Sequence, residues 1–231
     1  MRKRNRSILG ISIALLLSGC IVGIDFDDDF DFGDDNDRIR GSGIEATTTR
    51  SVANFNEVSI SGVGLLLIEH GDVESLTITA DDNLLRHIGS DVREGRLFLG
   101  PEDGVDLEQI TEIVYRLTVR SLDAIDASGV VEVVAHDILS HSFIANVSGV
   151  SSVNLTGETD FLDVNISGVS NFWGREFLTL DTQVIASGVT EVVVNVRDRL
   201  DATVSGASVV RYLGNPAISA NVSGASTVRP F

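Results

Sequence analysis

The chain has 231 residues and a formal net charge of −17 at pH 7, from 17 Lys and Arg against 34 Asp and Glu. A surface this acidic repels nucleic acids and anionic lipid head groups, so we expect no nucleic-acid partner. Hydrophobic residues make up 43% of the chain and aromatic residues only 6%, which favours a β-sheet core over a helix bundle, and the single cysteine excludes an internal disulfide.

Residues 1–19 have the pattern of an export signal. A positively charged head precedes an apolar stretch over residues 8–17, which is shorter than the roughly 20 residues of a permanent membrane helix. Residues 17–20, with the sequence LSGC, resemble the lipobox of bacterial lipoproteins. The resemblance implies acylation of Cys20 and anchoring to a membrane through the lipid, and Ile21 at the next position implies the outer membrane. The alternative is an ordinary secretory signal with a chance cysteine.

An acidic segment follows the cysteine. Residues 25–37 hold eight aspartates with three phenylalanines between them. Like charges at this density resist compaction, so residues 20–48 are predicted to be the lipid anchor and a flexible, Asp-rich tether. A single folded domain is then predicted over residues 49–231.

The acidic segment begins like a calcium-binding loop. Asp27, Asp29 and Asp31 occupy the first, third and fifth positions of an EF-hand pattern. The sixth position is Phe32 instead of Gly, and the twelfth is Arg38 instead of Glu. Because both defining positions differ, a solvated spacer is favoured over a calcium site.

The first part of the predicted domain consists of short, irregularly spaced strands. Residues 76–80 alternate between apolar and polar side chains, and residues 96–99 and 113–119 also have strand character. This part is less regular than the sequence that follows. Such irregularity is typical of the terminal capping region of a solenoid.

A Ser-Gly pair then recurs six times, with intervals of 20, 19, 20, 18 and 18 residues between the serines. A fixed period of this length is the signature of a stacked repeat architecture. One further copy lies earlier in the chain. The pairs are Ser61-Gly62, Ser128-Gly129, Ser148-Gly149, Ser167-Gly168, Ser187-Gly188, Ser205-Gly206 and Ser223-Gly224.

The residues around each pair form columns of constant chemistry. One and three residues before the serine, all six copies are apolar, and two residues before it most are polar. This alternation is typical of a strand with one buried face. The columns two and five residues after the serine hold mainly valine.

Columns of this kind predict coils that stack on one another. The predicted fold is all-β: a right-handed parallel β-helix (solenoid) with a less regular N-terminal capping segment. Equivalent side chains then lie about 4.8 Å apart along the axis, and the aliphatic columns form a dry core. The Ser-Gly pairs mark corners, where Gly tolerates a positive φ and Ser is small enough to stack. An antiparallel β-sandwich is the alternative.

Six segments resemble the putative auto-transporter adhesin, head GIN domain family. They are residues 52–62, 68–71, 76–85, 95–97, 122–129 and 222–228. The resemblance extends over residues 51–229 and includes no catalytic signature. It implies a fold similar to right-handed β-helices and adhesion as the function.

No residue pattern predicts a metal, a cofactor or a catalytic group. The histidines are His70, His87, His136 and His141, and no two of them have the spacing of a helical metal site. His136, Asp137 and His141 share a predicted corner and would suit a divalent ion, but a solvated turn is favoured. No Gly-x-Ser-x-Gly nucleophile motif is present in the sequence.

An enzyme that acts on acidic polysaccharides is the main alternative function. Clustered carboxylates and basic groups on the outside of the predicted coils would carry the chemistry. The candidates are Asp163, Asp181, Asp201, Arg175, Arg197 and Arg199.

The favoured interpretation is a non-enzymatic, lipid-anchored protein of the cell envelope. It presents a rigid β-helical surface for adhesion or binding, with a glycan or another envelope protein as the partner. A structural or sensory envelope module is a third alternative.

Overall fold

The computed structural model describes residues 37–109 and 111–231. These residues form 17 strands and one 3₁₀ turn, Leu85–His87. The signal over residues 1–19, the acylation site Cys20, the calcium-like loop and most of the acidic segment lie outside the described residues. Among the described residues, no helix is long and apolar enough to cross a membrane.

The strands divide into an N-terminal cap and a repeat region. The cap strands are β1 (Asp37–Arg40), β2 (Glu45–Arg50), β3 (Glu57–Ile60), β4 (Val63–His70), β5 (Ser75–Asp81), β6 (Ile88–Arg93), β7 (Arg96–Pro101), β8 (Val105–Glu108) and β9 (Val114–Val119). The repeat strands are β10 (Ala124–Ala127), β11 (Val130–Val147), β12 (Ser152–Ile166), β13 (Asn171–Ala186), β14 (Glu191–Val204), β15 (Val209–Leu213), β16 (Ala217–Val222) and β17 (Thr227–Pro230).

The repeat strands pair in parallel, each with the equivalent strand of the next coil. Val147 of β11 is opposite Ile166 of β12, which is opposite Ala186 of β13 and then Val204 of β14. This register confirms the predicted β-solenoid, because equivalent positions of successive coils lie over one another. The antiparallel sandwich is therefore excluded.

Interruptions in the pairing divide each long strand into three segments, which we call the first, second and third sides of the coil. In the β11–β12 ladder, the register shifts between Ala135 and Ile138, and pairing is interrupted again between Ser140 and Ser142. The first side follows the Ser-Gly corner, the second is short, and the third leads into the next corner. In β11 these sides are residues 130–135, 138–140 and 142–147.

Inward-facing columns build the core. Ala145, Val164 and Val184 are fully buried on the third side, and Val153 and Phe172 are fully buried on the first. Burial of one such Val or Phe side chain contributes about 1.5–3 kcal/mol. The columns one and three residues before the serine, and five after it, therefore belong to the core.

The valine column two residues after the serine lies outside the core, whereas the sequence predicted that the aliphatic columns all lie inside it. Valine stands two residues after the first four of the six serines, and two of these valines, Val150 and Val169, are 55% and 56% exposed. The next residue is the one that faces inward, and there Ser151 and Ser170 are buried. Ser151 Oγ donates a hydrogen bond to the carbonyl of Ser148 at 2.7 Å, so the corner buries a satisfied hydroxyl.

The cap joins antiparallel and parallel pairings. β2 pairs antiparallel with β5, and β6 pairs antiparallel with β7. β7 then pairs in parallel with β3, which begins the stack that β10 continues. The cap is less regular than the coils, in agreement with the prediction from sequence.

The folded region begins earlier than predicted. β1 pairs with β8, and β2 pairs with β5, so residues 37–40 and 45–48 are strands rather than part of a flexible tether. The buried carboxylate of Asp81 holds the segment between β1 and β2 in place. Its oxygens accept hydrogen bonds from the backbone N–H of Gly43 at 2.8 Å and from that of Thr111 at 3.2 Å. The tether predicted from the acidic composition is therefore longer than the segment that precedes the first strand.

Candidate functional site

A ladder of polar side chains runs along the outer surface of the third side. Asp126, Asn146 and Asn165 occupy the same position in three successive coils. Asn146 Nδ2 donates to Asp126 Oδ1 at 2.5 Å, and Asn165 Nδ2 donates to Asn146 Oδ1 at 3.2 Å. These bonds fix the side-chain amides in one orientation. We refer to these three residues as the amide ladder.

The cap extends the amide ladder at its N-terminal end. Arg96 Nε and Nη2 donate to Glu57 Oε2 at 2.8 Å and 2.6 Å, and Arg96 Nη1 donates to Asp126. The hydrogen bond to Glu57 raises the pKa of Arg96, burial opposes the rise, and the charge of Asp126 adds to it. Arg96 thus connects the hairpin of the cap to the first coil.

Acidic side chains continue along the next two outward columns, Asp163 and Asp201 in one and Asp181 in the other. Asn165 Nδ2 also donates to Asp163 Oδ1 at 3.2 Å. Burial raises the pKa of Asp163, and the bond from Asn165 opposes that rise. Arg199 lies between two carboxylates, with Nη2 3.3 Å from Asp181 Oδ2 and Nε 3.4 Å from Asp201 Oδ2.

The six residues considered for polysaccharide chemistry do not all come together. Asp163, Asp181, Asp201 and Arg199 share the third side. Arg197 instead pairs with its neighbour Asp198 at 3.1 Å. The guanidinium of Arg175 lies 4.8 Å from the centre of the Phe231 ring. Both arginines therefore make their contacts away from Asp163, Asp181 and Asp201.

Apolar side chains are interspersed with the polar ones. Phe161, Ile144 and Ile185 point outward from the third side and are 47%, 40% and 43% exposed. A shallow groove of about 360 Å³ lies between the amide ladder and the corners, lined in part by Ser148 and Ser167. The surface therefore offers hydrogen-bonding groups and apolar contacts side by side.

The Ser-Gly pairs lie between the third side of one coil and the first side of the next. Every corner glycine of the repeat has a positive φ, between 72° and 98°. The backbone stacks tightly there: Val150 N–H donates to Gly129 O at 2.8 Å, and Val169 N–H donates to Gly149 O at 2.8 Å.

The histidines make local contacts rather than a shared site. His141 Nδ1 lies 2.5 Å from Asp160 Oδ2, and its ring packs edge-on against Phe161. His136 contacts Thr156, and His70 contacts the carbonyl of Arg120. Within residues 37–109 and 111–231, no group of three His, Cys, Asp or Glu side chains has a geometry that would hold a metal ion.

Two parts of this surface were not predicted from the sequence. The column positions of Asp126, Asn146 and Asn165 were apparent, but their bonding to one another was not inferred. Aligning the acidic and amide residues of that column would have revealed it. The contribution of Arg96 had no such signal, because Arg96 belongs to a hairpin with no counterpart in the repeat.

Residues 54–216 match a protein family described as "Putative auto-transporter adhesin, head GIN domain". This family is the one that the sequence resemblance indicated. No curated protein sequence matches the chain significantly.

Two solved structures share the fold. A putative adhesin from Bacteroides fragilis NCTC 9343 is 20% identical, with a TM-score of 0.69 over 84% of this chain and 100% of its own. A putative adhesin from Parabacteroides merdae ATCC 43184 is also 20% identical, with a TM-score of 0.50 over 84% of this chain and 99% of its own. At this level of identity the likeness establishes architecture alone.

Proposed function

The chain belongs to the putative auto-transporter adhesin, head GIN domain family, and from this premise we propose that it is a non-catalytic, lipid-anchored binding protein of the cell envelope. Its ligand is a glycan, which binds along the outer surface of the third side. The export signal and the lipobox resemblance at Cys20 support the envelope location and the anchor.

The observation that carries this proposal is the amide ladder. Its side chains are held by bonds to one another, so little conformational entropy is lost when a ligand contacts them. Amide, carboxylate and guanidinium groups exchange hydrogen bonds with sugar hydroxyls. Phe161 offers an aromatic face beside Asp181 of the next coil, and aromatic faces pack against the C–H surfaces of sugars.

The ion pairs of the third side favour binding over catalysis. Glycoside hydrolysis commonly needs one protonated carboxyl and one carboxylate on either side of the scissile bond. Arg199 contacts both Asp181 and Asp201, so each of these carboxylates is held in an ion pair. Catalysis at either position would require that contact to be broken.

Glycan binding to the compact unit of residues 36–231 tests the proposal. We expect retention of neutral glycans on an array that holds both neutral and acidic glycans, with no new reducing ends after long incubation. The double substitution Asn146→Ala/Asn165→Ala should weaken binding by about tenfold or more, since each lost hydrogen bond is worth about 1 kcal/mol.

Asn154→Ala provides the matched control, because Asn154 is exposed on the first side. That variant should bind like the parent protein. New reducing ends would establish the polysaccharide-active enzyme instead. Failure to bind any glycan, or equal binding by the double variant, would overturn the proposed ligand surface.

A further inference from the structure

The exposed valines of the first side form a continuous apolar stripe. Val130, Val150, Val169 and Val189 are 54%, 55%, 56% and 57% exposed, and each directly follows a corner glycine. Their backbones are joined coil to coil through the corner hydrogen bonds. At a strand spacing of about 4.8 Å, the four side chains extend over about 14 Å. We call them the valine stripe.

A polar and acidic column runs beside the valine stripe. Glu132, Ser152, Asn171 and Glu191 pair in sequence across four coils and alternate with the buried core positions. Glu132 is exposed, whereas Glu191 is bound to Arg211 at 3.0 Å. One edge of the surface is therefore apolar, and the other offers a carboxylate and hydrogen-bonding side chains.

The cap adds a wall and turns this surface into a groove. Thr111, Glu112 and Ile113 stand beside Val130 and Val150, and the groove between them has a volume of about 600 Å³. Its described lining includes Glu112 and Glu132 but neither lysine nor arginine. The volume lies within the range of about 300–1,000 Å³ that is usual for ligand clefts.

The negative charge of the groove determines which class of ligand it can bind. The two glutamates and the net charge of −17 repel an anionic ligand and attract a cationic one. A second copy of the chain would bring the same negative charges to the contact. Four half-exposed valines also fall well short of the roughly 800 Å² that each partner buries in a stable protein–protein interface.

The valine stripe and the polar column beside it together suit an extended polypeptide. An extended chain directs successive side chains to opposite sides, so one set can cover the valine stripe while the other reaches Glu132 and Glu112. Ser152 and Asn171 follow Glu132 in the same column and can bond the main chain of the ligand. We propose that this groove is a second binding site, which takes an extended, positively charged polypeptide segment with apolar side chains.

Fluorescence anisotropy with labelled heptapeptides tests this inference on the purified full chain. The probes are KVKVKVK, KSKSKSK, which keeps the charge without the apolar side chains, and EVEVEVE, which reverses the charge. We expect KVKVKVK to bind at least tenfold more tightly than KSKSKSK, and EVEVEVE not to bind. Equal binding of the two lysine peptides would indicate attraction to acidic residues in general and would overturn the site.

Substitutions then locate the binding. Val150→Ser/Val169→Ser should weaken KVKVKVK binding at least tenfold, and Glu132→Gln should weaken it and reduce its dependence on salt. Val73→Ser is the control, because Val73 is 75% exposed and lies in the cap. It should leave binding unchanged, while far-UV circular dichroism verifies that each variant is folded.

Two outcomes would contradict the assignment. Undiminished peptide binding by the double valine variant would place the peptide elsewhere on the molecule. A monomer–dimer equilibrium in sedimentation that the same variant abolishes would assign the valine stripe to a second copy of the chain instead.

Discussion

At the residue scale, the corner glycines are constrained both by conformation and by space. Gly188 has a φ of 88°, and an added Cβ would lie 2.5 Å from the carbonyl oxygen of Gly168 in the coil below. Gly168 O also accepts a hydrogen bond from Val189 N–H at 2.9 Å, so this backbone cannot move away without loss of a ladder bond. A side chain therefore has to displace one coil from the next.

We expect Gly188→Ala to lower the free energy of unfolding by about 2–4 kcal/mol. The left-handed conformation alone costs an L-residue about 1–2 kcal/mol, and displacement of the stacked backbone adds to that. Urea denaturation followed by far-UV circular dichroism measures the change. Gly104→Ala is the control: Gly104 has a φ of 78°, but its Cβ would meet nothing within 4 Å. If both variants lose the same stability, backbone stacking contributes nothing at the corner.

At the element scale, each coil separates inward from outward side chains within a few residues. Val147, the last residue of β11, is 2% exposed, whereas Val150, just past the corner, is 55% exposed. The same residue type thus occupies a core position and a surface position within one turn. Sequence columns alone do not distinguish these positions, since both keep valine through several copies.

Val147→Asp should unfold the domain cooperatively, with a loss of at least about 3 kcal/mol. The substitution places an unpaired carboxylate among aliphatic side chains, where neither water nor a donor compensates the charge. Urea denaturation again provides the measurement. Val150→Asp is the matched control and should change the stability by no more than about 0.5–1 kcal/mol. A Val147→Asp variant as stable as the control would contradict the inward placement of Val147.

The strands of the repeat region were predictable because six copies of one sequence pattern support the same assignment. Six copies with one polar–apolar alternation indicated parallel coils before any contact was known. The cap had no such redundancy: the pairing of β2 with β5 depends on contacts between segments about 30 residues apart, and each segment occurs once. The early start of the fold at Asp37 was missed for the same reason. Local acidity suggested a tether, while the pairing of β1 with β8 is non-local.

The candidate surface was only partly predictable. Asp163, Asp181 and Asp201 were singled out from sequence, and the structure places them on one side. Which arginine joins them depends on where the strand bends. Arg199 falls on the third side beside Asp181, whereas Arg197 falls before the bend and pairs with Asp198. A difference of two residues across a corner is beyond what side-chain alternation can resolve.

At the scale of the whole molecule, a stack of coils is held together by contacts between neighbours. β12 and β13 each have a paired strand on both sides. Within the described residues, β16 pairs only with β14 and β17 only with β15. The last coil therefore has about half of the lateral support of a central coil, and its side chains in β16 are all exposed.

This difference predicts a gradient of local stability along the stack. Amides of β16 and β17 should exchange with solvent at a local opening free energy at least about 2 kcal/mol below that of β12 and β13, because fewer contacts are lost when one outer coil opens. Hydrogen exchange followed by mass spectrometry at native pH measures this as a protection ratio of roughly 30-fold.

The N-terminal side of the stack provides the internal comparison. β3 lies at that side but is covered by β7 and packs Ile60, which is fully buried, against the core. Amides of β3 should therefore be protected like those of the central coils rather than like those of β16. Uniform protection from β3 to β17 would mean that the coils open as one cooperative unit, and stability would then not follow from nearest-neighbour contacts.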